Sequence, residues 1–180
     1  MSLPITTTRL RLRHLEPRDA ATLVAYRSDP SVARFQSWTP PYPQSQALEL
    51  IAEMQARDLT DEGWTQVAVV DLETDALLGD IGVRRFEPRH AEIGFTLARQ
   101  HQGRGIMREA LEALLEYIFT ELGVHRVIAN TDVRNHASQT LLTRLGFRLE
   151  AVNTESWLED GQWFDEHGYA LLEREWKARS

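Results

Sequence analysis

The chain of 180 residues contains no cysteine. This absence excludes disulfide bonds, cysteine-ligated metal sites and a thiol nucleophile. Lysine is almost missing as well, because 20 residues are basic and Lys177 is the single lysine among them. Arginine stays protonated and cannot replace lysine in Schiff-base chemistry. We therefore expect no Schiff-base lysine in a central pocket.

A basic excess is also missing, since the net charge is −7. Binders of duplex nucleic acid are usually basic, so nucleic acid is not expected as a partner. An acidic balance suits cationic partners such as amines, although it also serves solubility alone. The first residues, Met1-Ser2-Leu3-Pro4, lack the features of a signal peptide, and no apolar run approaches the ~20 residues that span a bilayer. We expect a cytoplasmic protein without a membrane partner, either a monomer or a homodimer.

The apolar pattern predicts one domain over residues 1–180. The predicted strands are 8–15, 64–72, 77–86, 91–98, 124–133, 147–158 and 162–172, and the predicted helices are 16–27, 44–59, 106–122 and 135–145. Short turns between the second, third and fourth strands predict an antiparallel meander. The whole order predicts an α/β (α+β) sandwich, in which helices flank a mostly antiparallel sheet of about seven strands.

A glycine-rich junction joins the fourth predicted strand to the longest predicted helix. Gly103 and Gly105 permit backbone conformations that other residues avoid, and they clear side chains from the first helical turn. Free amides and the helix dipole make such a turn an anion site, to which Arg104 adds charge. A dinucleotide fingerprint would need a small residue where Arg108 stands, and no Gly-Lys-Ser/Thr phosphate loop is present. A diphosphate site built from backbone amides remains, beside the alternative of a tight turn without a ligand.

Several stretches resemble one family in their order along the chain. The motif Gln100-x-x-Gly103-x-Gly105 is similar to the acetyl-coenzyme A motif of the GCN5-related N-acetyltransferases (GNAT). Further stretches resemble the branch that acetylates the N-termini of ribosomal proteins: Thr8–Arg13 with Asp19, Ser28–Phe35, Gly79–Gly82, Glu92–Leu97, Asn135-x-x-Ser138 with Leu145-Gly146-Phe147, and Asp165–Leu172 with Glu175-Trp176. The resemblance covers nearly the whole chain. It implies the GNAT fold and an acetyl-CoA-dependent N-acetyltransferase.

The same resemblance implies where acetyl-CoA binds. Backbone amides of the glycine junction hold the diphosphate, and a splayed strand edge polarises the thioester carbonyl. The acetyl-CoA-binding residues expected on this basis are Phe95, Thr96, Leu97, Gln102, Gly103, Arg104, Gly105, Ile106, Met107, Asn135 and Ser138. The histidines have no metal-ligand spacing, so no metal is expected.

Two side chains are candidates for the chemistry of acetyl transfer. Glu92 is a lone carboxylate in an apolar strand, which suggests a general base acting through a water, although a structural glutamate would look the same. Ser138 is the candidate donor to the leaving thiol, with a plain helix N-terminus capped by Asn135 as the alternative. Without cysteine no cysteinyl acyl-enzyme can form, so we expect direct transfer.

The acceptor is expected to be a primary amine. Trp38 and Asp165 are the candidate acceptor-binding residues, one an aromatic side chain in a loop and the other an acidic residue of the closing hairpin. The resemblance favours a protein N-terminal α-amino group. Polyamine or aminoglycoside acetylation, and a CoA-binding regulatory module without turnover, remain alternatives.

Overall fold

The computed structural model describes residues 3–179. Its strands are β1 (Ile5–Thr6), β2 (Leu10–His14), β3 (Gly63–Asp71), β4 (Leu77–Phe86), β5 (His90–Leu97), β6 (Arg126–Asp132), β7 (Arg148–Glu159) and β8 (Gln162–Leu172). Its α-helices are α1 (Ala20–Arg27), α2 (Pro30–Ala33), α3 (Gln44–Gln55), α4 (Ile106–Thr120), α5 (His136–Arg144) and α6 (Glu173–Lys177).

The strands form one sheet in the order β1-β2-β3-β4-β5-β6-β8-β7. Every neighbouring pair is antiparallel except β5 and β6, which run parallel. The predicted α/β (α+β) class and the antiparallel meander are confirmed. The sheet has one strand more than the seven expected, because the short β1 pairs with β2. Two residues are too few to show a strand periodicity in the sequence.

The sheet buries apolar side chains on both of its faces. Along β3, Val67 and Val69 belong to one core cluster, whereas Ala68 and Val70 belong to another. Successive side chains of a strand point to opposite faces, so a fully apolar run marks a strand covered on both sides. The first cluster contains the apolar stripe of α4, and the second contains residues of α1 and α3.

Helix α4 is the longest helix and starts at the glycine junction. Its buried positions recur at three- and four-residue steps and face the sheet: Ile106, Met107, Ala110, Leu111, Leu114, Leu115, Tyr117, Ile118 and Phe119. Burial of this stripe fixes the helix against the sheet, and with it the position of the loop that precedes the helix.

Helix α1 is attached to the sheet by a buried ion pair. The Arg27 Nη2 donates to Asp80 Oδ2 at 2.9 Å, and the Tyr26 hydroxyl donates to Asp80 Oδ1 at 2.5 Å. Asp80 is only 2% exposed, so its charge depends on these partners. The pair therefore holds α1, and the chain that follows it, against β4.

The predicted helix 44–59 is shorter in the structure. Helix α3 ends at Gln55, and the backbone amide of Asp58 donates to the Asp61 carboxylate at 2.8 Å in a turn. Aspartate side chains favour such turns because they bond to nearby backbone. Leu59 is nevertheless buried, which is why its apolar signal resembled a helical one. Within residues 3–179, no helix combines the length and the apolar character that crossing a membrane requires.

Candidate active site

The sheet opens into a gap between β5 and β6. The two strands pair at three positions, the last of which is Glu92 on β5, although β5 continues to Leu97. The Ala98 amide donates to the Leu78 carbonyl on β4. Because backbone groups alternate in direction along a strand, those of Phe95 and Leu97 point into the gap instead. The gap therefore exposes a strand edge that pairs with no neighbouring strand beyond Glu92.

The glycine junction lies beside this edge. Gly103 and Gly105 both have φ of +73°, and Gly105 is the N-cap of α4. Left-handed backbone of this kind is unfavourable for other residues, which explains the two glycines. The amides of Ile106, Met107 and Arg108 start the helix without intrahelical partners, as the first amides of any α-helix do. The anion site that the sequence predicts would lie here, at the positive end of the helix dipole.

The N-terminal segment braces the junction. The Glu109 carboxylate accepts hydrogen bonds from the Thr7 hydroxyl at 2.6 Å, the Arg9 amide at 2.9 Å and the Arg9 Nε at 2.7 Å. Arg9 Nη1 also donates to the Arg104 carbonyl at 3.2 Å. Burial alone would raise the pKa of Glu109, but these hydrogen bonds outweigh it and lower that pKa. Glu109 is thus a charged anchor that fixes the loop to the start of the sheet.

A cavity of about 460 Å³ connects the strand edge, the junction and α5. Its lining includes ten of the predicted acetyl-CoA-binding residues: Phe95, Thr96, Leu97, Gln102, Gly103, Gly105, Ile106, Met107, Asn135 and Ser138. Arg104 does not line it, and its side chain is exposed. Arg108 and Arg144 also line the cavity and give it cationic groups. The volume is in the range of small-molecule sites.

A second cavity of about 70 Å³ lies within the gap and is lined by Gly94, Asn130 and Thr131 among others. Five residues line both cavities, and we call them the shared residues: Phe35, Gln36, Phe95, Asn135 and Ser138. Three of the five were predicted from the sequence. The two cavities therefore adjoin at the free edge of β5.

Glu92 lies at the point where β5 and β6 separate. Its Oε2 pairs with Arg84 Nη1 at 3.1 Å, and its Oε1 accepts from Asn130 Nδ2 at 3.2 Å. Its side chain is 15% exposed. Strand alternation places Glu92 on the same sheet face as Gly94, which lines the smaller cavity. Glu92 itself lines neither cavity. A base at this position therefore needs an intervening water to accept a proton from an amine that lies beside the shared residues.

Asn135 and Ser138 begin α5 at the other side of the gap. Asn135 is the N-cap, and its Oδ1 accepts from the Ser138 amide at 3.2 Å. The alternative structural role of Asn135 is therefore present in the fold. This capping bond uses the Asn135 Oδ1 and the Ser138 amide and does not involve the Ser138 hydroxyl. Ser138 lines both cavities.

Trp38 lies away from both cavities. Its indole packs over the Arg27 guanidinium at 4.3 Å, and its Nε1 donates to the Arg27 carbonyl at 2.9 Å. It also meets Tyr42 edge-on at 6.1 Å between ring centroids. The contacts of Trp38 are thus those of a side chain that packs the segment between α2 and α3, and its acceptor role stays a prediction.

Asp165 lies on β8, where its carboxylate accepts from the Glu155 amide of β7 at 2.8 Å. Beside this hairpin, at the end of β6, Arg134 stacks on the Phe164 ring at 3.4 Å and donates to Asp132 Oδ1 at 2.8 Å. Burial acts to raise the pKa of Asp132, but the hydrogen bonds from Arg134 lower it. Asp165 therefore has a backbone partner within the hairpin and lines neither cavity, and its acceptor role also stays a prediction.

The sequence analysis missed the wall of the cavity opposite β5. Ser31, Val32, Phe35 and Gln36 line it from α2 and the segment that follows α2. Gln36 Nε2 donates to the Phe95 carbonyl at 3.3 Å. These residues follow no helical or strand period, so only the resemblance of Ser28–Phe35 to a family element pointed to this region. Among residues 3–179, no group of three or more histidine, aspartate or glutamate side chains is placed to hold a metal ion.

Comparison with known proteins agrees with this geometry. Residues 9–148 match the family model described as the acetyltransferase (GNAT) domain. The uncharacterized N-acetyltransferase p20 of Bacillus licheniformis is 35% identical over 173 residues, which cover 94% of this chain and 96% of that relative. The [ribosomal protein uS5]-alanine N-acetyltransferase of Escherichia coli is 38% identical over 84 residues, 47% of this chain and 43% of the relative.

Among solved structures, an acetyltransferase of the GNAT family from Bacillus anthracis superposes with a TM-score of 0.86. It is 25% identical and covers 96% of this chain and 99% of its own. The family match, the full-length relative and the shared fold agree with one another. The chain belongs to the GNAT family and is an N-acetyltransferase.

Proposed function

We propose that the enzyme transfers the acetyl group of acetyl-CoA directly to the N-terminal α-amino group of a protein. The observation that carries this proposal is the meeting of the two cavities at the free edge of β5. One cavity offers an anion-binding loop, and the other opens in the gap beside Gly94 and Asn130. Two substrates entering from these sides would meet at Phe95 and Ser138.

The residues present suit acetyl-CoA. The amides at the start of α4 would hold its diphosphate, and the left-handed glycines keep β-carbons away from the anion. The gap-facing backbone groups of Phe95 and Leu97 would pair with the amides of the pantetheine arm. A backbone amide of this edge would also polarise the thioester carbonyl, which works best where water is excluded.

The transfer itself requires a neutral amine. Glu92 would accept the ammonium proton through a water held between its carboxylate and the gap. The amine nitrogen then bonds to the carbonyl carbon, the bond from that carbon to sulfur breaks, and the proton that the nitrogen loses on becoming an amide passes to the departing thiolate, which leaves as CoA. The Ser138 hydroxyl would stabilise this thiolate by donating a hydrogen bond. With no cysteine in the chain, no thioester intermediate on a cysteine is required.

The acceptor class rests on the relative named for the alanine of ribosomal protein uS5, which is similar over about half of this chain. We expect the acceptor to be an N-terminal alanine or serine. The charge of −7 favours the approach of a cationic amine of any kind. Charge alone therefore does not separate a protein N-terminus from a polyamine, and a direct comparison is needed.

A panel of amines makes this comparison. Thiol release from acetyl-CoA is measured with peptides that begin with alanine or serine, with the same peptides blocked at the N-terminus, and with spermidine. We expect turnover with the free peptides, none with the blocked peptides, and slower turnover with spermidine. Faster turnover of spermidine than of the free peptides would indicate a polyamine acceptor and not a protein N-terminus. Turnover of blocked peptides would indicate acetylation of a side chain. Binding of acetyl-CoA without turnover of any amine would indicate a regulatory module.

A further inference from the structure

The gap-facing carbonyls of Phe95 and Leu97 on β5 each accept a hydrogen bond from a glutamine side chain. Gln36 Nε2 donates to the Phe95 carbonyl at 3.3 Å, and Gln102 Nε2 donates to the Leu97 carbonyl at 3.0 Å. The carbonyls are two residues apart on one strand edge, about 6.6 Å along the strand. Each is therefore bonded to a primary amide from a different element.

The two glutamines reach the edge from different parts of the chain. Gln36 follows α2, whereas Gln102 precedes the glycine junction, and both line the larger cavity. Only Gln36 also lines the smaller cavity. Its bond to Phe95 lies where the two cavities adjoin. A ligand that extends from the larger cavity into the gap would therefore pass this carboxamide.

We propose that Gln36 is a specificity residue that holds the place of a ligand amide on the Phe95 carbonyl. An arm that carries secondary amides replaces the Gln36 carboxamide with its own N–H group, and the released side chain leaves the two cavities continuous. The inference rests on the proposed function, in which this arm is the pantetheine of acetyl-CoA. The Phe95 carbonyl accepts a hydrogen bond both from Gln36 in the unbound protein and from the arm in the complex. A ligand without an amide therefore gains nothing from the exchange.

This exchange makes a prediction opposite to that for a ligand-binding residue. If Gln36 competes with the arm, its removal strengthens binding, because the ligand no longer has to break a bond. The bond is long and the side chain is half-buried, so the effect is that of one ordinary hydrogen bond, about threefold to tenfold in affinity. If Gln36 contacts the bound ligand, its removal weakens binding instead.

Calorimetry with Gln36→Met tests this difference. Methionine keeps the length of glutamine but has no donor. We expect CoA to bind about threefold to tenfold more tightly than to the wild type, whereas adenosine 3′,5′-bisphosphate, which lacks the arm, binds with unchanged affinity. Unchanged or weaker binding of CoA would overturn the proposal. Gln36→Leu is the second variant if the first does not fold.

Gln139→Met is the matched control. Gln139 Nε2 also donates to a backbone carbonyl, that of Val133 at 2.8 Å, but Gln139 lines neither cavity. Gln139→Met should bind CoA no more tightly than the wild type does. Tighter binding of CoA by Gln139→Met would overturn the assignment to Gln36. Failure of the wild type to bind CoA would overturn the proposed function together with the inference. Equal CoA binding by the wild type and Gln36→Met would overturn the inference alone.

Discussion

At the scale of single residues, Glu92 combines two properties that a general base needs. Its carboxylate lies at the branch point of β5 and β6, and Asn130 and Arg84 fix its orientation. The side chain nevertheless remains partly exposed, so a water can reach it. A carboxylate held in this way suits the proton transfer that we propose for Glu92, whereas the phosphates would lie at the start of α4.

Glu92→Gln should therefore impair chemistry more than acetyl-CoA binding. The change keeps the shape and removes the basicity, and general bases typically contribute ~10²–10⁴-fold, so kcat should fall at least about tenfold. Stopped-flow assay of thiol release measures kcat, and calorimetry measures the affinity for acetyl-CoA. Glu150→Gln is the control, because Glu150 is also an arginine-paired strand glutamate but lies on β7. Equal kcat in both variants would make Glu92 structural.

Gly103 allows a test in which backbone strain is matched. Gly103 has φ of +73° and Gly123 has φ of +61°, and a β-carbon at either position would meet no atom within 4 Å. Alanine at each position costs about 1–2 kcal/mol through left-handed strain. Only Gly103→Ala should weaken acetyl-CoA binding, by about tenfold or more, because the methyl group and the strained backbone would move a loop amide away from the diphosphate and break a charge-assisted hydrogen bond. Equal affinities of the two variants for acetyl-CoA, measured by calorimetry, would show that the diphosphate does not bind at this loop.

At the scale of elements, the cavity wall opposite β5 depends on α1 and its buried ion pair. Asp80→Asn keeps the volume of the side chain but leaves Arg27 buried without a counter-charge. Breaking a buried pair in this way costs about 3–5 kcal/mol, so the free energy of unfolding should fall by roughly 3 kcal/mol in urea denaturation. The exposed turn residue Asp160 offers the control, since Asp160→Asn should change it by less than about 0.5 kcal/mol. Similar losses in the two variants would contradict this role of the pair.

The brace between the N-terminal segment and α4 predicts a dependence on pH. The folded pKa of Glu109 is below its ordinary value of 4.5. Its contribution to stability is thus complete above pH 4.5 and is lost as the pH falls from there through the lower folded value. Glu109→Gln should show a smaller decrease of Tm than the wild type when the pH is lowered below 4.5. Parallel curves of Tm against pH would show that Glu109 does not stabilise the fold by its charge.

The elements that the sequence predicted well have local signals. The start of α4 was predicted because two glycines and an apolar stripe are adjacent in the chain. The class of the sheet followed from short turns between apolar runs. Phe35 and Gln36 carry no such signal, because an irregular segment reaches the cavity only through the packing of α1 to α3. The end of α3 was missed because Leu59 is buried from a turn and not from a helix, and β1 was missed because two residues show no periodicity.

At the scale of the whole molecule, one sheet places an anion-binding loop, a free strand edge and a carboxylate around one gap. The loop and the edge are fixed by α4, the carboxylate by β4 and β6, and the wall opposite β5 by the packing of α1 to α3. In the proposed reaction this arrangement would bring two substrates together, with no covalent intermediate on the protein. Proximity of this kind supplies a large part of the rate enhancement of transfer reactions.

Rapid-quench mass spectrometry tests direct transfer between the two substrates most directly. The enzyme is mixed with acetyl-CoA, with and without a peptide that begins with alanine, and the intact masses of enzyme and peptide are followed over one turnover. Direct transfer predicts an unmodified enzyme at every time point and a peptide that gains one acetyl group, located at its α-amine by fragmentation. An acetylated enzyme that forms without the peptide, and disappears as fast as the peptide is acetylated, would contradict the account.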